Sequence, residues 1–457
     1  MIKKLKWVFV IFLGIALVIT IGFVGCKTTT IEETTSSAET TAAETNAAET
    51  TAAETTVEKV ELTFWSWQWV TGEATSTEKW LMEEVKKFQE LNPNIIINGT
   101  NVAYQEFWEK IDLALAGGNP PDVWALNTTN FGKYVENNAL LALDDYYNMD
   151  DLRKNFTSLQ TELLLGPDGK TYAQATYVGF YLPLYRPSVF KEAGISEYAK
   201  TPDEFIEMLK KLQSGGRYGY SFMVLPGNYV DAFYDYILWT IGFGGHFAKG
   251  DQPALNSPEN IEAMTYLKKI FDAGLVPKDI DKSTVRKMLA TKKIGTLIDG
   301  MWVQGIAAAE DPTVEGDFAS APLPFPTQRV ASFTEPLVAS AVTKHPKEAA
   351  KFLEFLGSKE SLQKMTEYSP TLPARLDSLD EQFKTKLIEK YPWYEEFLNH
   401  AKSDLMINMT PPSEFPVTEI EPLQKIWNNY MDKVFYENMD VTEAMNAAQE
   451  EALALRK

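Results

Sequence analysis

Val60-Glu61-Leu62-Thr63-Phe64-Trp65-Ser66-Trp67 opens the region that decides the fold. Its apolar and β-branched content reads as a buried strand. Glu78 to Leu91 then carries Trp80, Leu81, Val85 and Phe88 at helical spacing, and Asn92-Pro93 stops that helix. Ile95-Ile96-Ile97 predicts a second strand of the kind found in covered parallel sheets. Gln105 to Ala116 predicts another helix, Gly117 to Pro121 a turn, and Asp122-Val123-Trp124-Ala125-Leu126 a third strand. Strand, helix, strand, helix, strand is the order of an α/β sheet.

Working outward, the N-terminus has a different character. Lys3, Lys4 and Lys6 precede an uncharged apolar run from Trp7 to Val24, which ends at Gly25-Cys26. A basic start, an apolar middle and a small residue before the junction form the layout of an export signal. Cys26 is the only cysteine of the chain. The junction resembles the lipobox of bacterial lipoproteins, with Phe23 where Leu is usual, and the resemblance implies lipidation of Cys26. An uncleaved membrane anchor is the alternative, because the run is nearly long enough to span a bilayer. Residues 27–57 follow, and from Ala38 to Thr56 they repeat a five-residue unit of Ala, Glu and Thr. This segment has too little apolar surface to offset the entropy of ordering, so a flexible tether is expected. Both readings of the N-terminus place the remaining chain outside the cytoplasm, on a membrane tether.

Residues 58–457 are globular in pattern, and their length exceeds what one compact core holds, so two domains are expected. The chain's net charge is −20; the first 26 residues carry +3 and the next 31 carry −5, leaving −18 on the globular part. Such acidity disfavours nucleic acid and anionic lipid as partners. No cysteine remains to build a disulfide or thiolate metal site, and the three histidines, His246, His345 and His400, are far apart. No metal and no cofactor is expected.

Five stretches then resemble, in the same order, the extracellular solute-binding proteins of ABC importers, the carbohydrate-binding members of the maltose-binding type in particular. They are Phe88 to Ile97; Leu115 to Val123; Leu184 to Gly194 with Thr201-Pro202-Asp203-Glu204-Phe205; Gly242 to Pro277; and Lys344 to Glu360. Two departures stand out. Arg186-Pro187 replaces the usual Asn-Lys, and Ser332-Phe333-Thr334-Glu335-Pro336 lacks the common Gly-Gly. Both departures put the ligand in question rather than the fold. The resemblance implies an α/β fold of two discontinuous lobes joined by a multi-strand hinge, with ligand in the cleft between them. It also implies lobe boundaries near 58–174 plus 322–366 for the first and 175–321 plus 367–457 for the second. The partners it implies are a carbohydrate ligand and the membrane-embedded permease subunits, with the protein a monomer at the outer face of the cytoplasmic membrane or in the periplasm.

Ligands of open α/β sheets sit beyond the carboxyl ends of strands. That rule directs attention to the loops after Trp65, after Leu126, around Tyr177 to Tyr181, near Trp239 and after Gly300. They are rich in aromatic and neutral polar groups, which suit the apolar face and hydroxyl rim of a pyranose. The ligand-binding candidates are Trp67, Gln68, Asn127, Thr128, Tyr177, Tyr181, Trp239, Trp302, Glu335 and Arg375. Trp302 resembles the stacking Trp of the family's Gly-x-Trp. Plainer readings stand beside these: core for Trp67 and Trp239, hinge packing for Tyr177 and Tyr181, solvation for Glu335, a salt bridge for Arg375. Trp80, Trp108 and Trp124 are expected in the core. No serine-hydrolase elbow, zinc-protease motif or Walker loop is present. A surface glycoside hydrolase, which needs only two carboxylates, is the rival reading; a non-catalytic adhesion lipoprotein is another. The ordered family pattern favours a binding protein that is not an enzyme.

Overall fold

The computed structural model describes residues 58–70, 76–401, 404–412 and 415–456. The expected export signal, Cys26 and the tether lie outside them. Residues 57–457 form one compact unit.

The first sheet is built as its sequence predicts. Strand β1 (Val60–Ser66) is followed by helix α1 (Ser76–Leu91), β2 (Ile95–Asn101), α2 (Tyr104–Ala116), β3 (Val123–Ala125) and α3 (Thr128–Glu136). Strand β1 pairs in parallel with both β2 and β3. One expectation needs correcting. Along β1 only Val60, Leu62, Phe64 and Ser66 turn inward, while Glu61 and Thr63 are exposed. In β2, Ile95 and Ile97 are buried and Ile96 is half-buried. Both strands therefore present one face to solvent, and the side-chain alternation of a pleated strand accounts for it. Trp80, Leu81, Val85 and Phe88 of α1 all point into the core, as their spacing requires. Trp80 and Trp124 are core residues; Trp108 is only partly buried.

The chain then crosses over. Strand β4 (Tyr177–Val178) leads to β5 (Leu182–Tyr185), the middle strand of a second sheet. Helix α4 (Tyr229–Gly242) and helix α5 (Lys282–Ala290) precede β6 (Thr296–Asp299), which pairs antiparallel with β5. Helix α6 (Val303–Glu310) and β7 (Ala319–Ser320), on the other edge of β5, complete that region. Strands β8 (Val330–Ser332) and β9 (Leu337–Ala339) return, and β9 pairs antiparallel with β3, closing the first sheet in the order β9-β3-β1-β2. The helices at Pro346–Leu356 and Lys359–Tyr368 pack back on α1: Phe88 meets the Phe352 ring at 5.0 Å, and Trp80 Nε1 donates to Ser361 Oγ at 3.1 Å. Strand β10 (Leu372–Pro373) pairs with β4, and β11 (Met406–Asn408) pairs with β8. Bridges at Gly179–Phe333 and Gln174–Leu337 tie the same crossing segments together. These short paired strands join the two sheet-centred lobes and bring residues from both to one place.

Candidate functional site

Most of the expected site residues meet at the crossing strands. At the end of β6 the chain turns through Gly300 and Met301 to Trp302, which caps α6. A Cβ on Gly300 would lie 2.2 Å from the Trp302 ring, so only glycine lets the indole fold back over this turn. Trp302 presents its ring to Tyr177 at 6.3 Å, Tyr181 at 5.8 Å and Phe333 at 6.0 Å, each in edge-to-face geometry. Tyr181 stacks on Tyr234 of α4 at 6.2 Å, and Tyr234 meets Phe333 at 5.3 Å. The Phe333 ring occupies the space where Gly179 would carry a Cβ, which binds the two crossing strands tightly.

Glu335 faces this aromatic wall. Its Oε2 accepts a hydrogen bond of 2.8 Å from the Tyr177 hydroxyl. The charge of the same carboxylate reaches Tyr104 and Tyr234. Burial pushes the Glu335 carboxyl up to about 7, against the opposing pull of the Tyr177 hydrogen bond and the Arg286 charge. Burial likewise drives the Tyr104, Tyr177 and Tyr181 phenols well above their ordinary range, so all three remain donors at neutral pH.

Behind the rings lies a layer of ion pairs. Arg286 forks onto Asp299 at 2.9 and 3.0 Å, and its guanidinium lies 5.8 Å from the Trp302 ring centre. Lys282 donates to Asp235 at 2.9 Å and sits 4.9 Å from the centre of the Tyr181 ring. Burial opposes the charge on Asp299, but Arg286 and Lys282 outweigh it and hold its carboxyl below the usual range. At Asp235 burial wins over Lys282, and the carboxyl is raised.

The remaining candidates divide. Trp67 lies at the edge of the site, packed on Tyr104 at 5.0 Å and Phe107 at 5.0 Å, with Gln68 half-buried beside it. Asn127 caps α3, its Oδ1 accepting from the Asn130 amide at 3.0 Å and from the Thr129 hydroxyl at 3.0 Å. Thr128 starts α3 and lines a different space, a cavity of about 1050 Å³ walled by Phe131, Ile237, Phe247, Met409 and Phe415 together with Glu136, Glu162, His246 and Asn408. That cavity contains neither Trp302 nor Glu335, and the aromatic cluster is the candidate site because it lies where the crossing strands bring the two sheets together.

Three expectations are corrected. Trp239 is fully buried among Phe205, Tyr220, Phe243 and Phe325 and belongs to the core of the second lobe, because α4 is apolar on nearly every side. Arg375 is spent on Asp151 and Asp377, at 2.8 and 2.7 Å, and lies over Phe156 rather than in the cluster. Arg186 does not bear on the ligand either. It is 1 % exposed and clamps β5 to the segment after α6 through Asp311, Thr313 and Asp317.

Sequence reasoning missed Tyr104, Tyr234, Arg286 and Asp299 as site residues. Tyr234 is hidden in an aromatic-rich helix that is buried along most of its length, and Arg286 looks like any exposed-face cation of an amphipathic helix. Asp299 carried the one available signal, since it ends a strand immediately before the turn that places Trp302.

Comparison with known proteins follows the same line. Residues 83–394 match the model of a family described as bacterial extracellular solute-binding protein. A Brucella abortus protein named as a binding protein is 24% identical over 387 residues, spanning 82% of this chain and 89% of its own. The diacetylchitobiose binding protein of Streptomyces coelicolor is 30% identical over 226 residues, 48% of this chain and 51% of its own. Among solved structures, an ABC transporter solute-binding protein of Thermotoga lettingae, bound with α-D-tagatose, superposes with a TM-score of 0.74 at 19% identity, covering 86% of this chain and 99% of that one.

Proposed function

The chain belongs to the bacterial extracellular solute-binding family, and from that premise we propose that it captures a sugar or short oligosaccharide between its lobes for an ABC importer. The observation that carries this reading is the wall formed by Tyr177, Tyr181, Tyr234, Trp302 and Phe333 with Glu335 at its edge. Rings cover the apolar face of a pyranose, and the carboxylate and phenols pair with its hydroxyls. The site draws on residues of both sheets and of the crossing strands, so ligand makes its full set of contacts only when the lobes are together. Differential contact of that kind favours the closed state on binding. The work is capture and delivery without covalent change.

In this reading 58–174 with 322–366 make the first lobe, and 175–321 with 367–457 the second. Support comes from β9, which returns to the first sheet, and from the Trp80–Ser361 and Phe88–Phe352 contacts. Cys26 carries the lipid that holds the protein outside the membrane, beside the permease subunits that receive the ligand. Calorimetric titration against a glycan panel tests the ligand class. Micromolar or tighter binding of a carbohydrate is expected, and a protein that binds none of the panel while binding another solute class refutes the proposal.

A further inference from the structure

Glu335 is unusual for what it lacks. Its Oε2 is bonded by Tyr177, while its half-buried side chain leaves Oε1 open to solvent, with no hydrogen-bond partner and no ion pair to the carboxylate among the described residues. Arg286, whose charge reaches it, and Lys282, which lies over Tyr181, are already committed. Arg286 is held in a two-pronged pair by Asp299, and Lys282 is held by Asp235. Asp231, near Tyr234 and Arg286, adds another acid with no ion pair among the described residues. Counting these groups, two positive charges face four acidic side chains.

The carboxylate is also held in place. Bridges at Gly179–Phe333 and Gln174–Leu337 fix the backbone on either side of it, and Pro336 follows directly. Tyr177 reaches it with its hydroxyl, and the rings of Tyr181, Tyr234 and Trp302 pack on Tyr177 and Phe333 beside it, a setting that favours cations. An acid on a fixed backbone, without a counter-ion and beside aromatic rings, is suited to receive positive charge.

We propose that the cleft selects a carbohydrate bearing a cationic amino group, which Glu335 binds within the aromatic wall; this rests on the carbohydrate reading given above. A sugar hydroxyl also satisfies Oε1 as a hydrogen-bond donor, but it brings no positive charge to the half-buried carboxylate. An acetylated amine supplies a donor without charge and should be no better than a hydroxyl. The free ammonium supplies both, in place of the water that Oε1 meets in the free protein. The carboxyl raised to about 7 in the free protein accords with this, because it marks an acid whose burial is not yet compensated.

The test uses the full chain and a calorimetric panel of oligosaccharides matched in length and configuration, in gluco and galacto series, with hydroxyl, acetamido or free amino groups at the same carbon. The amino members are expected to bind at least about tenfold more tightly than their hydroxyl and acetamido counterparts. In Glu335→Gln that ratio should fall toward one, with no fall in the melting temperature of the free protein. If hydroxyl or acetamido members bind as well as the amino ones, or if the ratio survives in Glu335→Gln, the charge assignment is overturned and the carbohydrate reading stands. If no member binds, the carbohydrate reading falls and this assignment with it.

Discussion

Replacing Glu335 by Gln should stabilise the ligand-free protein, and only at neutral to alkaline pH. In the folded chain burial raises this carboxyl from 4.5 to about 7. Between those values the folded state holds a proton that the unfolded state has released, so stability falls as pH rises through this window. Below about pH 4.5 both states are protonated and Glu335 costs nothing. Above pH 7 the full cost is present. A displacement of this size corresponds to roughly 3 kcal/mol as an upper bound, since each unit is worth about 1.4 kcal/mol. Partial exposure of the side chain reduces it. Glutamine keeps an acceptor for the Tyr177 hydroxyl and titrates nowhere in this range, so it removes the cost without deleting the hydrogen bond. For a unit of some 400 residues, 3 kcal/mol amounts to roughly 3–4 °C in melting temperature. Calorimetric melting of both proteins, free of ligand, at pH 5 and pH 8 supplies the readout. The gap between variant and parent should be small at pH 5 and should open in favour of the variant at pH 8. A gap of the same size at both values would mean that Glu335 is solvated and unshifted, which is the plainer reading of a loop acid, and the reasoning about the site would fail with it.

Four other outcomes are expected. Trp302→Ala should weaken ligand binding ten- to a hundredfold, about 1–3 kcal/mol, as read by calorimetry on protein that still melts cooperatively. Trp239→Ala, in the core of the second lobe, should instead cost about 3–5 kcal/mol of stability in chemical unfolding and leave the affinity of the folded fraction near normal. Arg186→Ala should destabilise by about 3–5 kcal/mol, because it strands Asp311 and Asp317 without their buried partner, and it should not change ligand preference. Cys26→Ala should abolish incorporation of labelled fatty acid and release the protein from the membrane; absence of label in the parent protein overturns the lipid anchor.

The first sheet was legible because its signals are local. Asn92-Pro93 ends α1 within its own sequence, and the apolar residues of α1 recur at helical spacing, so no distant contact was needed to place them. The site was legible only where a residue's position followed from the backbone. Trp302 could be placed because it sits one turn beyond a strand end, and Tyr177 and Tyr181 because they flank a crossing between lobes. Trp239 was misplaced for the opposite reason. It lies mid-helix among residues apolar on every side, and no periodicity distinguishes an indole facing a cleft from one facing a core. Arg186 and Arg375 show the same limit for charge: the acids of Arg186 lie 125–131 residues away and Asp151 lies 224 residues from Arg375, distances at which sequence carries no pairing signal, and only Asp377 is local to Arg375. Glu335 is the instructive case. Its surroundings come from Tyr104, Tyr177, Tyr234 and Arg286, on three helices and one crossing strand, and no one of these segments hints at the others. What did show in sequence was the replacement of a common Gly-Gly by a segment containing Phe333 and Glu335. In the fold that replacement lies at the aromatic wall, where a flexible turn has given way to a ring and a fixed acid. A departure from a family's pattern pointed to that wall, where the residue's own type gave no signal.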